Sequence, residues 1–380
     1  MSLDLSAIPI VDNHCHGLYT MHTPATVDQW RPNFTESYDP VMRTDHVATT
    51  LFYQRLTREL AGFLGCAPDD RAVVAARAAR DPRGLAAALL RAGGIETLCI
   101  DRGFPTAGNV APDDSFLGDS GVRIAPMLRL EVLLQELIPR CPTLEDLQAM
   151  FAEALRDVRA EGYVALKSIV AYRTGLNIET WPVEAVDAAF ARARREVEEH
   201  GTIRITHKPL LDTMLHQAFA IASAQELPVQ FHTGYGDSDC DMLLANPFHL
   251  RAVLQRSEYR GMPVVLLHES YPYTRQGAFL AAIYENVYLD LSYGIPVLGF
   301  EEMLAFTRQA LGVAPYSKLM YSSDGVGLPE VHWVSAVHGR RVLGQVLEET
   351  VAHGDLSQAM AEAAGAAILR ENAHRVYGLG

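Results

Sequence analysis

Short apolar runs rich in β-branched residues recur along the chain with amphipathic stretches between them, the pattern of parallel strands buried on both faces beneath helices. The runs are IPIVDNH (8–14), IETLCIDRG (95–103), VRIAPMLRLE (122–131), YVALKSIVAY (163–172), LPVQFHTG (227–234), PVVLLHES (263–270), VYLDLS (287–292) and KLMYSSDG (318–325). Stretches such as LEDLQAMFAEALRDVRAEG, VEAVDAAFARARREVEEHG and EEMLAFTRQALG lie between the later runs, and each ends in a glycine, a common helix stop. The alternation predicts the α/β class.

An open doubly wound sheet shows the same alternation, and the polar residues separate the two architectures. His14, His16, Asp101, Arg129, Lys167, His232, His268, Asp290 and Asp324 stand at the C-terminal sides of the runs. In a (β/α)8 TIM barrel such ends converge on one mouth, whereas in an open sheet they are strung along an edge. The expectation is therefore a single barrel over residues 1–380. The gap between the first two runs holds TDHVATTLFYQRLTRELAGFLG, DDRAVVAARAAR and PRGLAAALLRAGG, and predicts a helical cap inserted after strand 1, at about 23–94.

Composition narrows the function classes. Hydrophobic residues make up 49% of the chain and charged residues 21%, ordinary for a soluble protein with a large core. A net charge of −14 disfavours nucleic acid and anionic membrane surfaces and favours a small-molecule substrate. The five cysteines are scattered without a Cys-x-x-Cys pair, which fits a reducing compartment. The opening MSLDLSAIPIVDNH lacks a basic segment followed by a long apolar one, so a cytoplasmic protein is expected. A homo-oligomer is compatible with all of this.

In His14-Cys15-His16, strand alternation sends both imidazoles to one face, where two neighbouring ring nitrogens suit a divalent transition metal. His232 and His268 each close an apolar strand, where a polar side chain is costly unless paired or coordinating. Asp324 offers a carboxylate that can ligate metal or accept a proton; the plain alternative is an Asp-Gly turn. Arg129 and Arg173 can each grip a substrate carboxylate with a bidentate fork, or form an outward ion pair. Tyr172 and His332 are further substrate-binding candidates, and His332 can equally be a surface or capping residue. The loop GYGDSDCD after His232 can receive a substrate ammonium or simply turn the chain.

The set of His-x-His, His232, His268 and Asp324 resembles the amidohydrolase superfamily, and the resemblance covers nearly the whole chain, including the closing ILRENAHRVYGL. LKSIVAYRTGL, HTGYGDSD and SSDG are most similar to the branch containing the amidohydrolase-like part of fungal and plant proteins fused to a glutamine-synthetase-like domain. The resemblance implies one or two divalent ions, zinc above all, and hydrolysis of an amide-type C–N bond by an activated water. It implies that His14, His16 and Asp324 hold one ion, His232 and His268 the other, and a carboxylated Lys167 both. Asp324 would be the general base, and with a single ion His268 would orient the water or polarise the carbonyl. Lys167 has a second reading, as an amine that pairs with an acid or binds a substrate carboxylate. Two other functions stay open: a metal-dependent lyase resembling aminocarboxymuconate-semialdehyde decarboxylase, whose mononuclear relatives lack such a lysine, and a non-catalytic ligand-binding barrel.

Overall fold

The computed structural model describes residues 3–19, 24–104 and 120–380. Every expected run contains a strand: β1 (Ile10–Cys15), β2 (Ile95–Asp101), β3 (Arg123–Arg129), β4 (Ala165–Ser168), β5 (Val229–Phe231), β6 (Val264–Leu266), β7 (Val287–Ser292) and β8 (Leu319–Ser322). They form one sheet in the order β1 to β8, with parallel pairing along it. The chain beyond β8 returns to β1: Asp324 N–H donates to His14 O at 3.0 Å and His16 N–H to Gly325 O at 2.8 Å. The sheet therefore closes on itself, and the fold is the expected (β/α)8 barrel. Leu166, Val229, Phe231, Val264 and Leu266 are wholly buried, which is why these strands read as continuous apolar runs.

The chain comprises two compact units: Met1–Ala125 with Gly236–Ser238 and Asp290–Arg375, and Pro126–Tyr235 with Asp239–Leu289 and Val376–Gly380. In the first unit the segment after β1 is helical, with helices Val27–Trp30, Leu51–Leu64, Asp70–Ala78 and Pro82–Ala92. The helix expected from Thr44 begins instead at Leu51. Thr50 is extended, and its hydroxyl caps the helix by accepting from Tyr53 N–H at 3.2 Å. Asp69 and Asp81 cap the next two helices in the same way. Buried Arg77 pairs with fully buried Glu330 and lies 5.4 Å over the Trp30 ring, tying these helices to helix Pro329–His353, which follows β8. Among the described residues no helix is long and apolar enough to cross a membrane.

Candidate metal centre

The first unit gathers nitrogen and carboxylate donors at the end of β1. Asp12 pairs with Leu98 but Cys15 with Ile100, so three steps along β1 match two along β2. Such a bulge bends a strand and re-aims its side chains. The His14 and His16 rings stand 5.1 Å apart at 82°, and each Nε2 lies 3.5 Å from Asp324 Oδ1. His16 Nδ1 lies 3.1 Å from the Phe104 carbonyl, which can only accept. In the neutral ring the proton therefore sits on Nδ1, and Nε2 turns its lone pair towards the Asp324 carboxylate. Two acceptors facing each other repel unless positive charge lies between them. Asp101, at the end of β2, joins the group: donor atoms of His14, His16 and Asp101 lie within 4.8 Å of one another, and all three residues are buried. Imidazole with carboxylate is a donor set that fits a divalent transition metal.

The second unit carries its own polar strand ends. Lys167, in register with Arg129 and Gln230, is 1% exposed. His232 follows β5, and its Nδ1 lies 2.9 Å from His268 Nε2. The Tyr172 ring packs on His232 with centroids 4.4 Å apart. His268, Glu269 and Ser270 have φ of 62°, 39° and 54°, three successive left-handed residues without a glycine. Each such residue costs roughly 1–3 kcal/mol and persists only where its surroundings over-determine it. Gly234 is part of those surroundings: its φ is +66°, and a Cβ there would fall 2.3 Å from Tyr271 O and 2.5 Å from Ser270 O.

Beside this group in the second unit lies an arginine-rich patch. Arg173 and Arg204 both donate to the Tyr172 carbonyl, at 3.4 and 3.2 Å. Burial, reinforced by Arg204, pushes the Arg173 guanidinium down to about 10, still cationic at neutral pH. Nearby Glu131 is fully buried and accepts from Ser168 Oγ at 2.7 Å; burial raises its carboxyl above the usual range. In the acidic loop after His232, Asp239 is held by Arg204 at 3.1 Å, and Asp237, in the first unit, accepts from Tyr38 at 2.7 Å. Those carboxylates are engaged in holding the loop.

One reading of His332, as a surface residue, is overturned. The residue is wholly buried, with Nδ1 3.6 Å from Asp12 and 3.3 Å from Ser323 Oγ. Sequence reading left Asp101 outside the ligand set and did not single out Asp12, Glu131 or Arg204. Asp101 carried a signal, as an acid ending a strand; the others depend on tertiary neighbours.

A family model described as Amidohydrolase matches residues 141–379. The protein fluG of Emericella nidulans is 29% identical over 98% of this chain and 46% of its own length, so the chain spans about half the length of that curated relative. A solved structure from Lactobacillus casei ATCC 334, described as a metal-dependent hydrolase, is 28% identical, with a TM-score of 0.83 over 100% of this chain and 98% of that one. Uronate isomerase of Thermotoga maritima shares the fold at 15% identity, with a TM-score of 0.67 over 98% of this chain and 95% of its own.

Proposed function

The chain belongs to the amidohydrolase family, and from that premise we propose that it is a metal-dependent hydrolase that cleaves an amide-type C–N bond in a small polar substrate. One observation carries the reading: His16 Nε2, its lone pair fixed by the Phe104 carbonyl, meets Asp324 Oδ1 at 3.5 Å beside His14 Nε2 at the same distance from that oxygen. Zinc is the ion proposed. His14, His16 and Asp324 are its ligands, with Asp101 adjoining, and His232 and His268 form the second donor set. Lys167, buried in β4, is assigned the carbamate, formed when its amine adds carbon dioxide.

A divalent ion supplies Lewis acidity and a water of lowered pKa. Asp324 takes a proton as the water oxygen adds to the carbonyl carbon, and returns it to the leaving nitrogen as the C–N bond breaks. Water is consumed, and a carboxylate and an amine are released. Tyr172 and Arg173 are the substrate-binding residues, with the guanidinium holding an anionic end.

Turnover of small amides by zinc-replete protein tests the proposal, with γ-glutamyl amines and N-acyl amino acids among the substrates. Asp324→Asn is expected to lower kcat at least ~100-fold, the scale of a lost general base. Full activity of that variant on a substrate the wild type hydrolyses would remove Asp324 from the mechanism.

A further inference from the structure

A buried polar cluster lies against the turn that presents Asp324, and the hydrolytic chemistry leaves it without a task. Asp12, two residues before His14, is wholly buried; its Oδ1 accepts from Ser323 N–H at 2.8 Å, and its Oδ2 faces His332 Nδ1 at 3.6 Å. Ser323 Oγ lies 3.3 Å from the same Nδ1 and accepts from Gly325 N–H at 2.9 Å. The residues on either side of Asp324 are thus both gripped, and Asp324 N–H itself donates to His14 O at 3.0 Å. Between those grips Asp324 holds φ +51°, a left-handed value a non-glycine residue keeps only under constraint.

Two glycines let the cluster pack this closely. A Cβ on Gly325 would fall 2.7 Å from the His332 ring, and one on Gly294 would fall 2.1 Å from Ser323 O. The ring and both backbones therefore sit at a spacing that only glycine permits. A buried histidine serving merely to fill the core would not need its nitrogen aimed at a carboxylate and a hydroxyl that both hold one three-residue turn.

We propose that His332, with Asp12 and Ser323, is a positioning residue: it fixes the Asp324 carboxylate towards His14 and His16 and thereby sets the affinity of that donor set for a divalent cation. The inference rests on the metal-centre reading above. It gives His332 a role through Asp324, with no contact to substrate.

The test is Zn2+ affinity, measured by chelator competition on the full chain, for the wild type, His332→Gln, Ser323→Ala, Asp324→Asn and the His332→Gln/Asp324→Asn double variant. Loss of such an outer partner weakens metal binding by about 10- to 100-fold, and that loss is expected for His332→Gln. In the Asp324→Asn background the same substitution should change affinity by less than about threefold, because the route through Asp324 is already gone. An undiminished effect in that background overturns the proposal. Ser323→Ala removes one hydroxyl and keeps the ring; it should weaken binding in the same direction even if His332→Gln fails to fold, and unchanged affinity in Ser323→Ala then overturns the proposal. A wild-type chain that takes up no Zn2+ overturns the metal centre and this role together. Tight wild-type binding that neither variant disturbs overturns the positioning role alone.

Discussion

At the scale of single residues, the site is governed by where protons and lone pairs are forced to sit. The Phe104 carbonyl fixes the tautomer of His16, and the His232–His268 contact at 2.9 Å requires one of the two facing nitrogens to carry a proton. Backbone strain is the second determinant. Gly234→Ala places a methyl 2.3 Å from Tyr271 O at φ +66°, and is expected to destabilise the protein by about 2–4 kcal/mol, combining overpacking with left-handed strain. A urea midpoint unchanged from the wild type would show that the Tyr271 backbone yields freely. That His14, His16, Lys167, His232, His268 and Asp324 end strands was legible in the sequence, because each interrupts an apolar run with a group that is costly to bury. The burial of His332 was not. It depends on Asp12 and Ser323, 320 and 9 residues away in sequence, and no local pattern encodes that meeting.

At the scale of elements, periodicity located strands better than it located their ends. β5 and β6 are each three residues long, and two residues beyond β6 the chain enters the left-handed turn His268–Ser270. The α-helix expected from Thr44 starts seven residues later, at Leu51, behind a π turn at Met42–His46 and a 3-10 turn at Val47–Thr49, because Thr50 turns its hydroxyl to its own backbone neighbours, a choice hydrophobic period does not register. Helix Pro329–His353 holds a buried histidine, His338, that is expected to make stability depend on pH. Burial, with Arg55, Arg341 and Arg58 adding to it, pushes His338 down to about 3. The unfolded chain takes up this proton near the ordinary histidine value while the folded chain does not. Stability should therefore fall as pH drops from about 6.5 towards 3, by at most ~1.4 kcal/mol per pH unit from this group. Urea unfolding of wild type and His338→Leu between pH 7 and 5 checks the sign: the variant should show the shallower loss. Parallel slopes would mean that His338 gains its proton in the folded state.

At the scale of the whole molecule, closure of the sheet was legible from chemistry more than from periodicity, since only a barrel gives ionisable residues on so many strand ends a common purpose. The helical segment after β1 was legible from its length and amphipathic stretches. The buried Arg77–Glu330 pair that ties it to helix Pro329–His353 was not. The Arg173–Arg204 convergence on one carbonyl was equally hidden, because Arg204 lies outside every strand and helix. The proposed role of the donors on β1 and beyond β8 is to hold a cation. It is tested most directly by counting tightly bound divalent ions per chain, by elemental mass spectrometry, in zinc-replete wild type and in the His14→Ala/His16→Ala double variant after exhaustive dialysis. At least one ion per wild-type chain is expected, and a loss of about one in the double variant. A folded wild-type chain that retains none, or a double variant that retains as many as the wild type, would contradict it.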